Sequence, residues 1–144
     1  MDISFIINHL GEDRNEYLGS VNPPIHQTSN FTVSTVAEFR NRIQHEFESP
    51  FYTRGHNPTV AILRKKIAAL EGTEDALIFS SGSAAIAAAV MNVVKSGDHI
   101  VCVQKPYGWT NFLLNQLLIN YNVTTTMVDG RDAENYRKAI QPNT

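Results

Sequence analysis

The first thirty residues carry no sustained hydrophobic period and contain Asn22-Pro23-Pro24, which predicts an extended arm rather than a packed element. From Thr35 the pattern changes. Thr35 and Glu38 stand in capping-box spacing, and Val36, Phe39, Ile43 and Phe47 then recur at helical intervals, giving a helix that Pro50 stops. Residues 50–56 read as a loop. Asn57 suits a helix N-cap and Pro58 a first helical position; Val60, Leu63, Ile67 and Leu70 form the apolar stripe, Arg64, Lys65 and Lys66 the solvated face, and Gly72 the stop.

Beyond Gly72 short apolar runs alternate with helical stretches. Ala76–Phe79 predicts a buried strand, residues 80–83 a turn and Ala84–Val94 a helix of small residues. His99–Val103 predicts a second strand, Thr110–Asn120 a helix, Val123–Val128 a third strand and Asp132–Ile140 a last helix. Strands alternating with helices imply an α/β chain, a mainly parallel sheet with flanking helices. The change of character at Pro50 divides it into residues 1–50, an arm and helix with no core of their own that suit packing on a neighbouring subunit, and residues 51–144.

Composition narrows the function classes. The chain has 144 residues, 42% hydrophobic and 18% charged, which suits a packed core and excludes disorder or a coiled coil. Its formal charge of −2, with no long run of either sign, argues against nucleic acid or an acidic membrane as partner. The single cysteine, Cys102, allows no internal disulfide and reads as an inert core thiol. The five histidines share no metal-ligand spacing, so no metal is expected. Phe5-Ile6-Ile7 is too short for a signal peptide or a span and follows an aspartate, which places the expected chain in the cytoplasm.

Three stretches offer chemistry. Ser80–Ala85 sets a glycine and small hydroxyl residues between a strand and a helix, where free N–H groups and the helix dipole suit a phosphate; taken alone it reads more readily as a plain serine N-cap. At Gly82 the missing Cβ lets a phosphate oxygen approach closely and permits a positive φ. Tyr52 and Arg54 can clamp a phosphate through a hydroxyl and a guanidinium, or be loop surface. Tyr107 follows a strand's C-terminal end, where it can stack on a planar ligand or fill a rim.

In order along the chain stand Pro23-Pro24-Ile25-His26-Gln27-Thr28-Ser29-Asn30-Phe31, Tyr52-Thr53-Arg54 with Asn57-Pro58-Thr59, Leu70-Glu71-Gly72, Ser81-Gly82-Ser83-Ala84-Ala85, Ser96-Gly97-Asp98-His99 and Tyr107-Gly108. Together they resemble the Cys/Met-metabolism pyridoxal-phosphate (PLP) enzymes: cystathionine γ-synthase and lyases, methionine γ-lyase and O-acetylhomoserine sulfhydrylase. The resemblance implies an arm followed by the first part of an aspartate-aminotransferase-like, fold type I domain. It implies that Gly82 and Ser83 offer backbone N–H groups to the phosphate of PLP and that Tyr107 stacks on its pyridine ring. Tyr52 and Arg54 would reach the phosphate in a neighbouring subunit, making a homo-oligomer of shared sites, commonly a tetramer. The implied substrate is a small amino acid and the reaction β- or γ-elimination or replacement in sulfur amino-acid metabolism.

The chain departs from the family at Ser83, often Met there, at Trp109, often a small residue, and at His26, commonly Tyr. None of its lysines has the context of the family's Schiff-base lysine, which follows a Ser-x-Thr-type sequence further on. The expectation is therefore an N-terminal fragment, inactive alone, with no catalytic residue of its own. The competing expectation is a non-catalytic phosphate-ligand or interaction module derived from the same fold.

Overall fold

The computed structural model describes residues 1–144 as two compact units, Met1–Ile78 and Phe79–Thr144. The change of character at Pro50 thus falls inside the first of them.

The first unit holds α1 (Ile3–Asn8), α2 (Val36–Gln44) and α3 (Pro58–Glu71). Local chemistry sets the ends of α3: the Asn57 side chain accepts from the Thr59 N–H, Pro58 opens the helix, and Gly72 closes it in the left-handed region at φ 68°. Thr35 caps α2 by accepting from the Glu38 N–H, and the Glu38 carboxylate takes the N–H of Ser34, one residue before the cap; α2 ends at Gln44, short of Pro50.

Two expectations for this unit change. The arm is not extended throughout, because Asp2 caps the short helix α1, which packs its buried Ile6 on α3. And α3 is turned around relative to its apolar stripe. Val60, Leu63, Ile67 and Leu70 are 37–48% exposed, whereas Lys66, expected in solvent, donates to the Ile7 carbonyl and pairs with Glu12. Arg64, expected there too, pairs with Asp75 and donates to the Ala76 carbonyl at 2.8 Å. Their long stems lie along the protein while the charged heads find partners. The residues that decide which face is covered, Ile6 and Glu12 on one side and Asp75 on the other, come from segments that no helical period could place.

The second unit runs α4 (Gly82–Met91), β1 (His99–Val103), α5 (Gly108–Phe112), β2 (Thr124–Val128) and α6 (Ala133–Ala139). The strands pair in parallel, His99 opposite Thr124 through Val103 opposite Val128. The expected helix at 110–120 is not uniform: α5 passes into a π turn at Leu113–Leu117 and a tighter 3₁₀ turn at Leu118–Tyr121. Leu113, Leu114 and Leu118, which the leucine spacing already puts on one side of a helix, form one buried cluster with Val123, against Ala87, Val90, Ile100 and Met127. Burying each such leucine contributes about 1.5–3 kcal/mol. Asn122, at φ 60°, then ends the helical run and turns the chain into β2.

Residues 76–79 do not form the expected strand. The sheet has β1 and β2 alone, and Leu77 is 69% exposed. A run of β-formers becomes a strand only where a neighbour takes its N–H and C=O groups, and neither strand pairs with it.

Candidate functional site

In the second unit the site begins at the start of α4. Ser81, in extended backbone, caps the helix: its hydroxyl accepts from the Ala84 N–H at 3.2 Å and its carbonyl from the Ala85 N–H at 3.1 Å. The N–H groups of Gly82 and Ser83 are left unclaimed by the chain, at the positive end of a ten-residue helix. Gly82 does not use the positive φ that its residue type permits. Instead, a Cβ built on it meets nothing within 4 Å, so its side is open to a ligand.

The start of α5 comes to the same place. Ser83 and Ala87 of α4 line a cavity of about 180 Å³ with Trp109, Thr110 and Phe112. Tyr107 precedes α5 and is 63% exposed, its ring free for stacking. Trp109 meets Phe112 edge-on, with centroids 5.9 Å apart. The second unit thus sets Ser83, at the start of α4, beside Trp109 and Thr110 of α5, and Tyr107 directly precedes α5 in the chain.

In the first unit Tyr52 and Arg54 come together: the guanidinium carbon lies 5.0 Å from the Tyr52 ring centroid. Arg54 is exposed and has no carboxylate partner, so its donors are available to an anion. The loop that carries them is closed by Gly55, where an added Cβ would stand 2.6 Å from the Glu46 carbonyl oxygen.

Sequence reasoning missed the polar frame behind this loop. Buried Asn57 is more than a cap, since its amide also donates to the His26 carbonyl and to the Thr53 hydroxyl. The Thr59 hydroxyl donates to the Pro24 carbonyl and accepts from the His26 N–H. Apart from Thr53, four residues before Asn57, these partners lie 31–35 residues away in sequence. The clue present in the chain was the crowding of amide and hydroxyl residues around a single arginine. His99 was missed as well: it is buried, with its ring nitrogens 2.8 Å from the Thr126 and Thr144 hydroxyls. Cys102 packs against the leucine cluster, and burial pushes its thiol up from the ordinary value, as suits an unreactive sulfur.

The second unit thus offers a helix start with two free N–H groups, and the first, by itself, an arginine without a carboxylate partner stacked on a tyrosine; each is a donor set of the kind that anions take. Solved structures agree on the class. The chain superposes along its whole length on 35% of a Campylobacter jejuni protein described as an O-acetylhomoserine (thiol)-lyase, which carries a pyridoxyl-lysine monophosphate, with a TM-score of 0.90 and 26% identity. It matches 36% of metB from Corynebacterium glutamicum with a TM-score of 0.87 and 34% identity. The fold is that of the type I PLP enzymes.

The model of the Cys/Met metabolism PLP-dependent enzymes matches residues 5–144, and the chain belongs to that family. It is 40% identical over 136 residues to an L-methionine gamma-lyase of Treponema denticola, covering 94% of this chain and 34% of that protein. It is 36% identical over 137 residues to an O-acetyl-L-homoserine sulfhydrylase of Corynebacterium glutamicum, covering 94% of this chain and 31% of that protein. The chain thus spans about a third of the length of the curated relatives it matches. No helix is long and apolar enough to cross a membrane.

Proposed function

We propose that this chain is the phosphate-anchoring part of a PLP-dependent enzyme that eliminates or replaces the side-chain leaving group of cystathionine, methionine or an O-acylhomoserine. The observation that carries this is the start of α4, whose two unclaimed N–H groups lie beside the open side of Gly82 in a chain of a PLP-dependent family. The residues fit the cofactor. Gly82 and Ser83 would receive phosphate oxygens on backbone N–H groups, Arg54 would add a two-pronged charged donor, and Tyr52 a hydroxyl. Tyr107 would cover one face of the pyridine ring. Bound PLP supplies an electron sink for negative charge at the substrate α-carbon.

The chain's own contribution is binding and orientation. The α4 dipole and Arg54 offset the phosphate charge, and Tyr107 limits how the ring tilts. Tyr52 and Arg54 serve the site of a second copy in a homo-oligomer built from such dimers, acting in the cytoplasm. The test supplies the full-length protein and PLP with methionine, cystathionine or an O-acylhomoserine, with and without a thiol nucleophile. It reads either release of a 2-oxo acid, the product of elimination, or formation of a new thioether with loss of the original leaving group, the product of replacement. Either product from one of them supports the assignment. PLP binding without turnover of any of them overturns it in favour of a phosphate-ligand module.

A further inference from the structure

The Tyr52–Arg54 pair sits on a loop, and an exposed arginine on a loop loses much rotamer freedom whenever it meets a ligand. Something must hold the loop in place before binding. The residue between them carries an unusual load. The Thr53 N–H donates to the Ser29 carbonyl at 2.9 Å, and its hydroxyl donates to the Thr28 carbonyl. The same hydroxyl accepts from the Asn57 amide at 3.1 Å. One side chain thus joins the loop both to the arm and to the start of α3.

The neighbours reinforce the attachment. The Phe31 N–H donates to the Phe51 carbonyl at 3.1 Å, and Asn30 pairs with Tyr52 in an antiparallel bridge. The Gly55 and His56 N–H groups both donate to the Tyr52 carbonyl, turning the chain around Arg54. With Thr53 held toward residues 28–29, its two flanking side chains meet each other.

We propose that Thr53 is a positioning residue: its hydroxyl bridge between Thr28 and Asn57 holds Tyr52 and Arg54 ready for the cofactor phosphate. The proposal rests on the reading that Tyr52 and Arg54 take that phosphate.

The experiment compares two probes, PLP and unphosphorylated pyridoxal, by equilibrium titration of the full-length apoprotein in four forms: wild type, Arg54→Ala, Thr53→Val and Thr53→Ser. Thr53→Val keeps the shape and removes the hydroxyl; Thr53→Ser keeps the hydroxyl. The expected result is that Thr53→Val weakens PLP binding about three- to tenfold, the scale of one or two lost hydrogen bonds. Pyridoxal binding stays unchanged, and Thr53→Ser restores the preference for PLP. An equal loss for both probes overturns the proposal, because it marks a merely structural role. An unchanged preference in Thr53→Val, with a lowered one in Arg54→Ala, overturns it while leaving the phosphate reading intact. An unchanged preference in Arg54→Ala overturns the phosphate reading, and the proposal falls with it.

Discussion

The Arg54 guanidinium lies over the ring of Tyr52, 5.0 Å from its centroid, so the two side chains form one surface with donors at its rim. Their roles separate by substitution. Arg54→Ala removes both the charge and the stacking partner and is expected to weaken PLP binding about ten- to a hundredfold, in line with charge-assisted hydrogen bonds. Arg54→Lys keeps the charge but not the fork and falls between. Tyr52→Phe keeps the ring and loses only the hydroxyl, a smaller effect. Equilibrium titration of the apoprotein checks the order; a lysine variant as good as wild type would show that charge alone matters.

If Tyr52 and Arg54 serve a second copy, defective subunits should complement each other. Full-length Arg54→Ala protein mixed with protein lacking the Schiff-base lysine is expected to regain activity, since each hybrid dimer contains one site with both groups intact. The measurement is turnover after mixing, with hybrid formation shown by native mass spectrometry. Hybrids that form and stay inactive count against a shared site.

Gly82 gives a test in which stability and binding part company. An added Cβ meets nothing within 4 Å, so Gly82→Ala should leave the apoprotein as stable as wild type or slightly more so, because alanine favours the helix. The same methyl would stand where a phosphate oxygen approaches, and PLP affinity should fall. Ser83→Ala keeps its N–H and should cost no more than about 0.5–1.5 kcal/mol. Thermal melts without cofactor and titrations with it separate the two effects.

Gly55 should behave in the opposite way. Its Cβ would come 2.6 Å from the Glu46 carbonyl oxygen, a backbone atom that cannot swing aside. Gly55→Ala therefore forces the loop away from the end of α2, at a cost of about 1–3 kcal/mol. Urea unfolding of the apoprotein reads this directly, and an unchanged midpoint would mean that the loop has another arrangement of equal energy.

The hydrogen bond from Arg64 holds the Asp75 carboxyl below the usual carboxylate range, aided by the Ala76 N–H and by the guanidinium charge. A carboxyl depressed in the folded state contributes stability that is present above its unfolded value and lost as pH falls through its folded value. Acidification should thus loosen the 73–76 loop from α3. Asp75→Asn should lower stability at neutral pH, where the wild-type pair is charged, and flatten the fall below about pH 4. Melting temperatures of the two proteins across that range check the sign. Asp75 is more than half exposed, so the effect is modest and salt should reduce it.

Much of this protein was legible in the chain alone. Caps and stops act within four residues of the elements they bound, so Thr35, Asn57-Pro58, Gly72 and Asp132 announced their helices, and the β-branched runs gave β1 and β2. The ordered motifs from Pro23 to Gly108 gave the family. The tertiary structure alone decided what long-range partners decide. It partly covered Arg64 and Lys66 of α3, because Ile6 and Glu12 arrive there from the arm and Asp75 from the following loop, and left Lys65 in solvent. It gave 76–79 no pairing in the sheet, and it divided the helix expected at 110–120 into turns of different pitch. It also gave Thr53 its place, since the carbonyl that accepts from its hydroxyl lies 25 residues away and no local period points to it.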